Sequence, residues 1–194
     1  MIYYLSKYIA LFLLHVLFRL RTSGRENFPN HGPVIIVSNH SSYLDPIVIG
    51  CAAPRRVHFV AKEELFRSKA AAFFLKQLGA FPLKRSEGDR HAVKTIFTLL
   101  KQGRVVCLFP EGTRNEGRIL PLRSGAVKLL QKSGVSIVLA GVRGTYESWP
   151  RGRRNIRLHP ISVVFAPPLD SGTLERDSCA MFLKTRMEEL IGVP

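Results

Sequence analysis

The chain has 194 residues, of which 46% are hydrophobic and 22% charged; this is the balance of a globular domain and excludes disordered, collagen-like and disulfide-scaffold classes. One domain of this length buries a substantial core. Lysine and arginine number 29 against 14 aspartate and glutamate, giving a net charge of +15, so the partner carries negative charge: nucleic acid, an anionic membrane surface or a phosphorylated substrate.

Residues 1–20 (MIYYLSKYIALFLLHVLFRL) are apolar but are interrupted by Lys7 and His15 and closed by Arg19 and Arg21. A membrane crossing takes about 20 mostly apolar residues, so the stretch is marginal as a span. At helical spacing Lys7, Leu11, His15 and Arg19 form one stripe with Tyr4 and Tyr8 beside it, and Ile2, Ile9, Phe12, Leu13, Val16, Leu17 and Leu20 cover the remainder. That pattern predicts a helix lying in the membrane interface, its apolar face among acyl chains and its cations toward headgroups. Residues 1–22 are read as this membrane-surface helix and residues 23–194 as the globular domain. The competing readings are a helix packed as ordinary core, a true span, and a cleaved signal peptide. The last is weakened by the absence of a small-residue cleavage site, where residues 19–23 read RLRTS.

A polar link over residues 22–33 follows, with Gly24, Pro29, Gly32 and Pro33. Short apolar bursts at residues 34–37, 57–60, 105–109 and 136–142 read as buried strands, and residues 43–51, 70–78, 90–101 and 124–132 as helices. Residues 156–167 read as a later strand and residues 174–191 as a closing helix. Strands alternating with helices predict an α/β fold, a largely parallel mixed sheet flanked by helices. There is no G-x-G-x-x-G or P-loop to signal a nucleotide fold. Cys51, Cys107 and Cys179 are dispersed and odd in number, which predicts a reducing compartment with no disulfide and no metal site.

Two polar motifs follow directly on two of the predicted strands. Residues 34–37 run into Ser38, Asn39, His40, Ser41, Ser42, Tyr43, Leu44 and Asp45, and residues 105–109 into Pro110, Glu111, Gly112, Thr113 and Arg114. In a parallel sheet both occupy the carboxyl edge, where ligands bind. His40 and Asp45 point apart on a continuous helix. With His40 in the loop and a helix starting at Ser41 or Ser42, Asp45 falls in the first turn and reaches back to one imidazole nitrogen, leaving the other as a general base. Ser42-x-x-Asp45 also has the form of a capping box, in which Asp45 merely accepts from backbone donors. Ser41 and Ser42 lack a G-x-S-x-G elbow, so the pair looks like a hydrolytic triad without its nucleophile; a hydroxyl supplied by the substrate would make the reaction direct acyl transfer. Arg114 presents a planar fork suited to phosphate, with Gly112 turning the backbone before it. Glu111 is open to three readings: orienting Arg114, binding a substrate hydroxyl, or a structural ion pair. Lys62, Lys84 and Arg85 are further cations at predicted strand ends.

The 39–45 motif resembles the N-H-x4-D motif, and the 109–114 motif the F-P-E-G-T-R motif, of the glycerolipid acyltransferase superfamily; the likeness is nearest to PlsC-type 1-acylglycerol-3-phosphate acyltransferases and runs over residues 24–168. It implies His40 and Asp45 as the catalytic pair, with Glu111, Gly112, Thr113 and Arg114 in the acceptor-binding motif. Residues 79–85 resemble the family's G-x-x-x-x-x-R block, which implies Arg85 as a phosphate ligand, and Lys62 stands where a lysine before an acidic-Leu pair is usual. Residues 135–140 lack the prolines that the family's fourth block usually carries. The resemblance further implies an acyl-CoA or acyl-carrier-protein donor, a lysolipid acceptor, no cofactor or metal, phosphatidic acid as product, and work at an anionic membrane surface on the cytoplasmic face of the inner membrane. Rival expectations are another lysolipid acceptor, a lysophospholipid or an amino-acid lysolipid, and, outside enzymes, a basic nucleic-acid-binding module. The last accounts for the charge but leaves His40, Asp45 and the apolar first helix without a purpose, and the aromatic and arginine interleaving of a binding groove is absent.

Overall fold

In the computed structural model, which describes residues 2–77, 79–83, 89–175 and 178–192, the elements run α1 (Ile2–Phe18), β1 (Arg21–Ser23), β2 (Val34–Ser38), α2 (Asp45–Ala52), β3 (Val57–Lys62), α3 (Lys69–Gln77), β4 (Ala80–Leu83), α4 (Asp89–Lys101), β5 (Val105–Leu108), α5 (Ser124–Lys132), β6 (Ser136–Arg143), α6 (Thr145–Ser148), β7 (Ser162–Phe165), β8 (Leu169–Asp170) and α7 (Cys179–Ile191). The strands make one sheet in the order β1-β7-β6-β2-β5-β3-β4, with β8 also on β6. β2 sits between β5 and β6 and is parallel to both, with Val34 opposite Val105 and Ser136. β3 is parallel to β5 and β4, so the carboxyl ends of β2, β3, β4, β5 and β6 share one edge. β7 and β8 pair antiparallel with β6, and β1, parallel to β7, shares their direction; the sheet is therefore mixed but mostly parallel, as expected.

Why the two faces differ follows from handedness. The chain leaves β2 toward β3 on one side, then returns through β5 to β6 on the other. Right-handed crossovers running in opposite directions cover opposite faces. Accordingly Val34 and Ile36 pack with α1 and α2, whereas Ile35 and Val37 pack with α4, α5 and α7. All four side chains are fully buried, which is why this strand reads as an unbroken apolar run. The reversal of direction happens beside β2, and a crevice opens at such a switch.

Several predicted boundaries move. The helix predicted over residues 43–51 begins at Asp45, because Ser42 is held in a bridge to Pro150. The link over residues 22–33 yields part of its start to β1, a three-residue edge strand parallel to β7 that lacks any apolar run. Of the strand predicted over 156–167 only Ser162–Phe165 pairs; Pro160 carries no N–H for a ladder and the residues before it are exposed. The closing helix starts at Cys179.

α1 stops where Arg19 takes a left-handed φ of 49°. It buries Tyr3, Leu14 and Phe18, and its Lys7 Nζ donates to Ala53 O at 2.6 Å. The Lys7 ammonium therefore caps the carbonyl end of α2 instead of turning to headgroups, a correction to the predicted basic stripe. A cation is favoured at that end of a helix dipole. Burial holds the Lys7 ammonium below its ordinary pKa. Tyr4, Leu5, Tyr8, Ile9, Phe12, Leu13, Val16 and Leu17 face outward, between 42% and 67% exposed. Among the described residues no helix is long and apolar enough to cross a membrane.

All three cysteines are buried and free. Burial pushes the Cys51 thiol up to about 11 and raises those of Cys107 and Cys179 as well. The thiolate is the reactive form, so an alkylating reagent at mildly alkaline pH is expected to leave all three unmodified in the folded protein and to label them in denaturant, read by mass spectrometry. Fast labelling of the native protein would contradict this burial.

Candidate active site

The site starts where β2 leaves the sheet. Asn39, buried, turns its amide back onto β6: Nδ2 donates to Val142 O and Oδ1 accepts from Val142 N, both at 2.9 Å. The side chain thus continues the ladder beyond its last pair, Ser38 with Ala140, and the main chain is free to rise at His40.

His40 Nδ1 lies 2.8 Å from Asp45 Oδ2. The same oxygen accepts the N–H groups of Ser41 at 2.7 Å and Ser42 at 2.8 Å. An oxygen that accepts from two backbone donors is an acceptor toward His40 too, so Nδ1 carries the ring proton and Nε2 is the basic nitrogen. One oxygen thus meets both expected geometries, the reach back to the imidazole and acceptance from backbone donors. Pro46 in the first turn of α2 presets the helix start. Asp45 is fully buried, whereas the His40 side chain keeps 20% exposure. Its ring stacks on Phe109, centroids 4.2 Å apart at 23°, which fixes the imidazole plane.

Both neighbouring serines are committed elsewhere. Ser41 Oγ is 3.3 Å from Thr145 Oγ1; Ser42 Oγ donates to Trp149 O at 2.7 Å and accepts from Leu44 N at 3.1 Å. Both residues are buried. Neither hydroxyl is placed to act as a nucleophile.

The second motif is bound to the first. Asn115 N donates to His40 O at 2.7 Å, and His40 N donates to Glu111 Oε1 at 2.9 Å. Glu111 also accepts from Asn115 Nδ2 at 3.0 and 2.8 Å and from Leu120 N at 2.8 Å. None of these partners is Arg114, so Glu111 is neither the orienter of Arg114 nor an ion pair with it. Both oxygens that the sequence reading offered to substrate already hold donors of the chain, and Glu111 stands as a buried brace between the loops. Burial raises its carboxyl pKa, against the lowering pull of the Leu120 N–H, the Asn115 amide and the His40 N–H.

Gly112 turns at φ 68°, and a Cβ there would overlap the Arg123 guanidinium; only glycine fits both conditions. Arg123 Nε in turn bonds Glu111 O at 3.4 Å. Thr113 is exposed and Arg114 half-buried. The Arg114 guanidinium carbon lies 3.6 Å from the Tyr43 ring centroid, a cation–π contact that holds the guanidinium beside the loop of His40. Lys62 ends β3 on the same sheet edge. Arg85 and Lys84 lie outside the described residues. Among the described residues no three His, Cys, Asp or Glu side chains group as metal ligands do.

Comparisons with known proteins show the family and the fold. The family model described as Acyltransferase matches residues 19–142. The chain belongs to the acyltransferase family. It is 36% identical over 151 residues to the 1-acyl-sn-glycerol-3-phosphate acyltransferase of Bacillus subtilis (strain 168), covering 77% of this chain and 73% of that one. With the alpha form of Homo sapiens it shares 31% identity over 179 residues, 88% of this chain but 63% of the human one. The chain therefore spans less than two thirds of that longer relative. The fold matches the crystal structure of the 1-acyl-sn-glycerophosphate (LPA) acyltransferase PlsC from Thermotoga maritima with TM-score 0.78 at 22% identity, over 97% of this chain and 81% of that one. This acyltransferase is an enzyme built on the PlsC-type mixed α/β sheet.

Contacts that no sequence motif signals brace the candidate site. Residues 143–151 fall between the strands predicted over 136–142 and 156–167, yet Trp149 contacts the Tyr43 ring with centroids 5.1 Å apart, and its main chain anchors Ser42. Gly144 allows this approach: its φ is 83° and a Cβ would overlap the Pro160 carbonyl. The chain's one tryptophan, set just beyond a Gly-Thr turn, was the available signal. Asn115 offered none, since its partner Glu111 is recognisable only in space.

Proposed function

We propose that the protein transfers a fatty acyl group from acyl-CoA or acyl-carrier-protein to the free hydroxyl of 1-acylglycerol-3-phosphate, giving phosphatidic acid for phospholipid biosynthesis. The observation that carries this reading is the His40–Asp45 pair without an enzyme nucleophile beside it, both serine hydroxyls being buried and bonded. His40 Nε2 takes the proton of the acceptor hydroxyl as its oxygen attacks the thioester carbonyl. The new C–O bond forms, the C–S bond breaks, and the imidazolium returns the proton to the leaving thiolate. Asp45 holds the tautomer and stabilises the imidazolium. Arg114, with Lys62 and Arg85, supplies the positive charge for the phosphate of the acceptor; the relatives named as 1-acyl-sn-glycerol-3-phosphate acyltransferases support that acceptor.

The acceptor is a lipid, and the outward apolar face of α1 gives the enzyme its seat on the membrane surface. Replacing Phe12 and Val16, 67% and 60% exposed, by serine is expected to weaken vesicle binding at least about tenfold, since each large apolar side chain buried contributes roughly 1.5–3 kcal/mol. Co-sedimentation with vesicles measures it.

The substrate assignment is tested with the full chain and labelled acyl-CoA or acyl-carrier-protein against 1-acylglycerol-3-phosphate, other lysophospholipids and an amino-acid lysolipid. Label is expected in phosphatidic acid. Label only in another product would replace the acceptor while leaving the chemistry in place.

A further inference from the structure

Between α6 and β7 the chain passes through a segment that the proposed chemistry does not use. Residues 151–159 read RGRRNIRLH, with four arginines, two large apolar residues and no acid. Arg151, Arg154 and Arg157 are exposed, as are Ile156 at 48% and Leu158 at 64%. Isolated exposed apolar residues need no account. Leu158 is not isolated: with His159 and Pro160 it lines one cleft with Val16, Leu17 and Arg19 at the end of α1. Two backbone bonds fix this junction, Ile161 N to Phe18 O at 2.9 Å and Arg21 N to Ile161 O at 3.0 Å. The segment therefore prolongs the outward apolar face of α1 and adds a block of positive charge to its border.

We propose that residues 151–159 form a second membrane contact, one that binds the phosphates of anionic lipids beside the apolar seat of α1. This rests on the reading of α1 as membrane-seated. Arginine suits the task because its planar fork matches phosphate oxygens, and cations at an anionic bilayer surface each add about 1 kcal/mol. Two apolar side chains among the arginines, continuous with eight more on α1, fit a lipid surface and not a nucleic-acid backbone.

The segment is also fastened to the site. Arg157 N donates to Ser148 O at 2.9 Å, Trp149 Nε1 donates to Arg153 O at 3.0 Å, and Arg153 Nη1 donates to Glu147 O at 3.2 Å. Trp149 O receives the Ser42 hydroxyl next to the dyad. Headgroup contact thereby sets the position of His40 over the membrane surface.

The experiment compares binding of the full chain to vesicles of phosphatidylcholine alone and of phosphatidylcholine mixed with phosphatidylglycerol, with thermal melts confirming that each variant folds. The triple variant Arg151→Gln, Arg154→Gln, Arg157→Gln is expected to lose on the order of 10²-fold in affinity for the mixed vesicles, the product of three surface cations, with binding to neutral vesicles unchanged. Ile156→Ser with Leu158→Ser is expected to weaken both. If the triple variant keeps the wild-type preference for mixed vesicles, the proposal fails while the α1 reading stands. If the Phe12, Val16 pair leaves both vesicle types bound as before, the α1 reading fails instead. Loss of duplex DNA binding without loss of vesicle binding would also overturn the proposal, in favour of nucleic acid. For a triple variant that does not fold, salt decides: raising it from about 0.05 to about 0.5 M must erase the wild-type preference, and a preference that survives overturns the assignment.

Discussion

Replacing His40 by alanine is expected to lower kcat by at least about 10²-fold, the smaller end of what a positioned general base contributes, while the protein stays folded. The folding half follows from which atoms of His40 hold the loops together. Its main-chain N–H bonds Glu111 and its carbonyl bonds Asn115, and both bonds survive truncation of the ring. Only the Phe109 stack and the Asp45 contact are lost. Asp45→Ala should behave differently, because its Oδ2 also accepts from Ser41 N and Ser42 N in a buried site. Stranding buried donors costs about 1–3 kcal/mol each, so that variant loses stability along with activity. Steady-state kinetics with thermal melts on the two variants separates the roles. Near-normal turnover of His40→Ala would reduce the pair to a device for starting α2.

The difference between the two variants also marks how far sequence could go. His40, Asp45 and the strand ends that carry them were legible because the apolar runs of β2 and β5 are continuous, and a polar motif after such a run has one place to be in a parallel sheet. The order of strands around β2 was not readable. It depends on crossovers whose lengths say little about which neighbour is chosen, and it alone brings residues 143–151 against the dyad loop. Glu111 illustrates the same limit: two functional readings and a structural one fit its spacing, and the outcome is set by donors from His40 and Leu120 that spacing does not order. On α1 the apolar residues expected among acyl chains do face outward, and the one departure is Lys7. The basic stripe counts Lys7 as solvent-seeking, whereas the carbonyl end of α2 offers its ammonium a hydrogen bond.

Glu111→Ala is expected to destabilise the enzyme by roughly 3 kcal/mol, because it leaves His40 N, Leu120 N and the Asn115 amide without their acceptor in a buried setting. For a domain of this size that corresponds to a fall in Tm on the order of 10 °C. Activity should fall too, since the same carboxylate joins the loop bearing the dyad to the loop bearing Arg114. Glu111→Gln keeps one acceptor oxygen but turns an NH2 toward existing donors, and should lie between alanine and wild type. The pH dependence separates a buried brace from a group held for its charge. Burial raises the Glu111 carboxyl in the folded state, so the folded protein binds the proton more readily than the unfolded chain. That contribution to stability is fully present below the ordinary glutamate range and is lost as pH rises through the raised value. The Tm gap between wild type and Glu111→Gln should therefore widen as pH is lowered from neutral toward about 4. A gap that narrows instead would mean that the three donors outweigh burial, and that Glu111 holds the two loops together through its negative charge.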